Sequence, residues 1–211
     1  MEKNNDRGLL QALFVTTLIV SNIIAVKIGS FGGVFLPVAV VIFPISYILG
    51  DVITEVYGFS TMRRTIWTGF ACNLLAVAAI ALGQWIPAAP FFDAQGAYER
   101  ILGWTPRILA ASFIAYLVGE FVNAAILAKL KVKTKGRHLW LRTISSTVIG
   151  EGLDSFLFLT IAFAGSMSVA QLYSLIVAQW AFKVSFEILA TPFTYAAVAG
   201  LKRRAGLAFH Q

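Results

Sequence analysis

Six stretches of this chain, at about residues 9–28, 34–57, 65–86, 107–128, 143–164 and 169–200, are each long and apolar enough to cross a lipid bilayer. A span needs roughly 20 apolar residues, each rising about 1.5 Å. Six spans use about 120 residues. A chain of 211 then has room for short loops and for no soluble domain. The expected fold is all-α: one integral membrane domain over residues 1–211 with six transmembrane helices. Composition agrees, with 58% of residues hydrophobic and 13% charged. A soluble domain has about 45–50% and about 25%. An ordinary cytosolic enzyme and a disordered chain are both excluded. The first apolar stretch is too long for a cleavable signal peptide, and no small-residue cleavage site follows it. Pro37 and Pro44 fall in the second stretch and Pro192 in the sixth. Each removes a backbone donor, which a membrane helix tolerates where a neighbour or a cavity satisfies the freed carbonyl.

The basic residues orient the chain. With the N-terminus inside, the cytoplasmic segments hold Lys3, Arg7, Arg63, Arg64, the run from Lys129 to Arg142, and Lys202 to Arg204. These are 13 of the 17 basic residues. Lys27, Arg100 and Arg107 fall outside, and Lys183 lies within the sixth span. The loop-charge rule therefore puts both termini in the cytoplasm. The same rule accounts for the net charge of +7 without a nucleic-acid partner. The run from Lys129 to Arg142 is read as an orientation signal, with head-group or RNA binding as the other reading. The longest outer connection, residues 87–106, is rich in aromatics. It is either an interfacial anchor or a lid, and anchoring is the simpler reading.

The acids carry the functional argument. Glu2, Asp6, Asp93 and Glu99 lie outside the spans, whereas Asp51, Glu55, Glu120, Glu151, Asp154 and Glu187 lie inside them. A charge at the bilayer centre costs at least about 2.5 kcal/mol, so intramembrane acids are functional by default. Their spacing groups them by helix face. Asp51 and Glu55 are four apart, with Tyr47 on the same side. Glu151 and Asp154 are three apart, with Thr147 one turn earlier. Glu120 and Asn123 are three apart, and Lys183 and Glu187 four apart, the latter preceded by Gln179 and Trp180. Asn22 and Asn73 add uncharged polar groups to the first and third spans.

By helical rise Asp51 lies about 9 Å from the inner end of its span, Glu120 and Glu151 about 12 Å, and Glu187 about 18 Å. These depths converge on the middle and inner half of the membrane, where a carrier holds its ligand. Six carboxylates and one ammonium cannot all be ionised in a dry cavity. Some carry protons, pair with Lys183, Arg63 or Arg64, or meet a cationic ligand. A structural role stands beside the functional one for several groups. Asn22, Asn73 and Glu120 serve equally well as helix-bridging hydrogen-bond formers, and Lys183–Glu187 as an ion pair fixing the sixth helix. The motifs GDVITEVYG and GEGLDSF echo one another, as two halves of an inverted-repeat transporter would.

Several chemistries are absent from the sequence. There is no GxxxxGK[ST] loop, no HExxH and no GxSxG elbow. Neither Asp51 nor Asp154 sits in a GxGD motif of the intramembrane aspartyl protease type. Cys72 is the one cysteine, and His138 and His210 lie outside the apolar runs, so no disulfide, metal site or cofactor is expected. No catalytic residue is assigned. A membrane enzyme working through paired carboxylates stays open without a motif to support it.

SNIIAVKI at 21–28, FPISYILGDVITEVYG at 43–58 followed by Arg63–Arg64, Asn73, GEGLDSFLF at 150–158 and KVSFEILATPFTY at 183–195 resemble the bacterial queuosine-precursor transporter family, also labelled vitamin-uptake transporters. The resemblance runs over about residues 9–200. It implies import of 7-cyano-7-deazaguanine or 7-aminomethyl-7-deazaguanine through the bacterial inner membrane, for queuosine in tRNA. It also implies a fold similar to the six-helix substrate-binding subunits of energy-coupling-factor transporters. Unlike those, the family works without an ATPase module. Small residues spaced by four, which often mark module docking on helix one, are poorly kept at Ala12, Thr16 and Val20.

On this reading the partners are a purine-like small molecule and the bilayer, with room for a homo-oligomer. The substrate-binding candidates are Asn22, Asp51, Glu55, Asn73, Glu151, Asp154, Trp180, Lys183 and Glu187, with Tyr47, Glu120, Asn123 and Gln179 as secondary ones. A carboxylate accepts from the ring N–H and exocyclic amine of a guanine-like edge, a Lys or amide donates to its carbonyl, and an aromatic ring stacks on it. A vitamin-binding subunit that needs a separate ATPase is the main alternative.

Overall fold

A computed structural model describes the backbone of residues 2–133 and 139–204. It describes the side chains of these except at 2–5, 120, 121, 123, 124, 127, 128, 131, 132, 139–143, 146, 147, 202 and 204. Glu120, Asn123 and Thr147 therefore lie outside the described side chains, as does part of the basic run from Lys129 to Arg142. The chain is an all-α membrane protein, with one β-hairpin among the described residues. Its helices are α1 (Glu2–Ile24), α2 (Phe43–Tyr57), α3 (Phe59–Trp85), α4 (Gln95–Leu102), α5 (Thr105–Lys133), α6 (Leu139–Phe163) and α7 (Val169–Arg204). Strands β1 (Ile28–Phe31) and β2 (Val34–Pro37) and a short 3-10 turn (Val38–Val41) lie between α1 and α2. Among the described residues, four segments are long and apolar enough to cross a membrane: Asp6–Ile24, Phe59–Trp85, Gln95–Gly119 and Val169–Leu201.

The second expected span needs correction. Residues 34–57 do not form one helix: 34–37 are a strand, 38–41 a 3-10 turn, and the helix starts at Phe43. The cause is local. Gly32 and Gly33 both have positive φ, at 59° and 89°. Two such residues in succession make the tight turn whose twist suits a hairpin. β1 and β2 then pair antiparallel from Phe31↔Val34 out to Ile28↔Pro37. Pro44 sits in the first turn of α2, where its missing N–H has no partner to lose. At 15 residues α2 is about 22 Å long, short of the roughly 30 Å of hydrocarbon.

Gly58 joins α2 to α3 at φ 87° and ψ 157°, a conformation only glycine adopts easily. Its N–H closes α2 on the Thr54 carbonyl at 2.9 Å, and its own carbonyl accepts from Thr61 and Met62 at 3.0 and 3.2 Å to open α3. The connection between α3 and α5 contains α4, which rests on α3: the Tyr98 phenol oxygen is 3.0 Å from where a Cβ on Gly83 would stand.

Two compact units divide the chain. One comprises Met1–Val26, Val38–Gly103 and Leu189–Gln211; the other comprises Lys27–Pro37 and Trp104–Ile188. In the first, Phe14, Leu18, Leu49, Ile53 and Met62 form a buried core between α1, α2 and α3. Val52 and Val56 on the next stripe of α2 pack with Val198 near the end of α7. In the second unit α5 and α6 run antiparallel. Arg107 at the start of α5 donates from Nε to the Ile161 carbonyl at 2.7 Å and from Nη2 to the Ala164 carbonyl at 2.6 Å. A guanidinium there satisfies carbonyls that a helix end leaves without partners. Trp104 stacks on Phe163 with centroids 6.3 Å apart and carries the same guanidinium 5.5 Å from its ring centre. Midway along α5, Gly119 lets it approach α6, since a Cβ there would lie 3.1 Å from Asp154 Cβ and 3.3 Å from the Gly150 carbonyl.

Candidate functional site

The second unit brings acids and base together across two helices. Lys183 of α7, 6% exposed, places its ammonium 2.9 Å from a Glu151 carboxylate oxygen and also donates to Asp154 of α6. Glu151 and Asp154 are themselves only 20% and 15% exposed. Their spacing of three residues puts both carboxylates on the side of α6 that Lys183 meets. One ammonium thus faces two carboxylates. Glu187, one turn beyond Lys183, adds a third carboxylate within electrostatic reach of Glu151. Such a group is costly in hydrocarbon, so its presence calls for a ligand, a proton or further partners.

Trp180 stands one turn before Lys183. Its indole N–H donates to the Val148 carbonyl at 2.8 Å. The ring fits because residue 152 has no side chain: a Cβ on Gly152 would lie 3.2 Å from Nε1 and 3.6 Å from Cδ1 and Cε2. A glycine inside a helix costs about 1 kcal/mol relative to alanine. Here it makes room for α7. The seam between α6 and α7 therefore has two rungs, Trp180 on Val148 and Gly152, then Lys183 on Glu151 and Asp154. Gln179 is buried on α7.

The other candidates belong to the first unit. Asn22 of α1 donates from Nδ2 to Asn73 Oδ1 on α3 at 3.0 Å, and Asn73 Nδ2 donates to the Gly69 carbonyl at 3.1 Å. Both asparagines are buried. The Asn73 oxygen ties α1 to α3, and its Nδ2 is held by the backbone of its own helix. Asp51 and Glu55 are exposed on α2, on the side opposite the buried Leu49, Val52, Ile53 and Val56. Tyr47 packs edge-on against Phe43 with centroids 4.9 Å apart.

The family described as "Putative vitamin uptake transporter" matches residues 37–197, more than half of the chain. The chain belongs to this family. Two curated relatives add detail. A protein of Bacillus subtilis (strain 168) named "Probable queuosine precursor transporter" is 27% identical over 150 residues, covering 70% of this chain and 65% of the relative. One of Escherichia coli (strain K12) named "Queuosine precursor transporter" is 27% identical over 125 residues, covering 57% and 52%. The chain thus spans about two thirds and about half the length of these relatives. No solved structure matches it. Both α2 with its carboxylates and the α6–α7 seam fall within the family's matched region.

Reading the sequence for charge finds Glu151, Asp154, Lys183 and Trp180 but misses what aligns them. Gly152 and Gly119 were visible beside the acids, as GEGLD and LVGEF, yet a glycine shows its purpose only when its neighbour is known. The four-residue step from Lys183 to Glu187 is also legible, whereas the partners of Lys183 on α6 lie 29 and 32 residues away.

Proposed function

We propose that this protein is a carrier that moves 7-deazaguanine queuosine precursors through the bacterial inner membrane and recognises them at the α6–α7 seam. The observation that carries the reading is the Glu151–Asp154–Lys183 group beside Trp180. A carboxylate accepts the ring N–H and exocyclic amine of a guanine-like edge together, and charge-assisted bonds of this kind contribute about 1.5–3 kcal/mol each. Stacking on an indole adds roughly 1–3 kcal/mol. Lys183 holds the same carboxylates, so the cargo must compete with its ammonium. That competition gives a cycle its two states: carboxylates closed on Lys183, or open to the base with Lys183 turned to the base carbonyl or to Glu187. A change between such states is what alternating access needs. Glu187 is the coupling partner in this scheme. Asp51 and Glu55 on α2 are the second candidate contacts.

Both relatives' names favour transport over catalysis. The six-span plan, the likeness to energy-coupling-factor binding subunits and the cytoplasmic termini are parts of the same proposal, the last resting on the basic residues. The test is uptake of labelled base into proteoliposomes that contain this protein alone. The expected result is saturable uptake. Uptake that needs an added ATPase module would overturn independent transport. The family description favours one second reading, a vitamin-binding subunit. A thermal-shift panel separates the two, because only the true ligand stabilises appreciably. Stabilisation by biotin or riboflavin and not by a deazaguanine would favour the vitamin.

A further inference from the structure

We propose that Gly152 is a positioning residue: its missing side chain seats the Trp180 indole against α6 and holds the opposite ring face as the platform on which the cargo heterocycle stacks. The inference rests on the carrier reading above and adds the residue that sets the platform's place. Three adjacent atoms of the five-membered ring, Nε1, Cδ1 and Cε2, stand 3.2, 3.6 and 3.6 Å from the Cβ position of Gly152. Distances so nearly equal mark a face-on approach, because an edge-on ring would hold its two carbons much farther back. One ring face is therefore laid on the backbone of α6, and the N–H bond to Val148 at 2.8 Å fixes its rotation. Trp180 keeps 38% of its surface exposed, and we assign that exposure to the opposite ring face.

The residues on either side of Gly152 give the platform its meaning. Glu151 precedes it, Asp154 follows two residues later, and both hold Lys183, three residues beyond Trp180. A flat base on the open face would lie within about one helical turn of the carboxylates that accept its N–H groups. A methyl at residue 152 would push the ring outward by a few tenths of an ångström without removing any polar group from the seam. It would thus weaken recognition while leaving every charge in place.

The test makes Trp180 the sole indole, by changing Trp67, Trp85, Trp104 and Trp140 to Phe, and titrates the purified protein with 7-aminomethyl-7-deazaguanine. Saturable quenching of Trp180 emission is expected. Gly152→Ala should raise the half-saturating concentration about tenfold, in line with the loss of much of one stacking contact. In the otherwise native chain Gly152→Ala should raise the KM for uptake by a similar factor. Adding Trp180→Phe, a smaller ring, should recover part of that loss, which a general packing defect would not allow. An unchanged titration in Gly152→Ala overturns the inference. So does quenching by brominated lipid with none by the base, which would make the open face a lipid contact. Wild-type uptake run in parallel separates the two claims. Uptake without quenching overturns the platform alone, and saturable quenching without uptake overturns the carrier reading alone.

Discussion

The packing of α1 on α3 and the seam of α6 with α7 use the same device for opposite ends. Each has a glycine that admits a large neighbour. A Cβ on Gly69 of α3 would stand 2.9 Å from Leu18 Cδ1, as one on Gly152 would stand 3.2 Å from Trp180 Nε1. The polar groups beside them differ. At α3 a neutral amide accepts from Asn22 and donates to the Gly69 carbonyl, so donor and acceptor are matched. At α6 one ammonium bridges two carboxylates, so the contact is ionic throughout. A satisfied neutral pair is adequate as helix glue and offers little to a ligand. A charged group is expensive within a membrane and marks a functional site by default. Polar residues in apolar helices are thus told apart by whether the groups they bring together are neutral or charged.

Substitutions can break this contrast, and the largest effect should come from Lys183→Met. It leaves two buried carboxylates without their ammonium, and breaking a buried pair in this way costs about 3–5 kcal/mol. Thermal unfolding in detergent should show the loss, and Lys183→Arg should keep most of the stability. Next comes the double change Glu151→Gln with Asp154→Asn. Removing the charged partners of a recognised edge costs about 2–5 kcal/mol, so uptake should fall by about a hundredfold or more while the protein still inserts. Gly69→Ala on the other side should cost about 1–3 kcal/mol in unfolding through overpacking against Leu18, with the KM for uptake unchanged. Asn73→Ala should be the smallest, about 0.6–2 kcal/mol of stability with base affinity unchanged. A large loss of affinity in Asn73→Ala would erase the distinction between glue and site.

Much of this was legible in the sequence, for identifiable reasons. Runs of apolar residues report helices in lipid, and α1, α3, α5, α6 and α7 lie close to the expected stretches. The start of α2 was not legible by hydropathy, because a window of about 20 residues averages a hydrophobic strand and a hydrophobic helix alike. The signal was Gly32–Gly33 between β-prone residues, which marks a hairpin. Helical spacing placed Glu151 with Asp154 and Asn22 among polar groups, since periodicity gives the face. It could not say that Asn22 meets Asn73 or that Lys183 reaches α6, since partner choice is set by how helices pack.

On the proposed carrier reading, the cargo is held by the charges of the α6–α7 seam and not by the amides of α1 and α3. Equilibrium binding of radiolabelled 7-aminomethyl-7-deazaguanine tests it most directly, with wild type, Glu151→Gln and Asn73→Ala measured side by side. The expected result is saturable binding by wild type and Asn73→Ala, and its loss in Glu151→Gln. Binding that survives Glu151→Gln and disappears in Asn73→Ala would contradict the account.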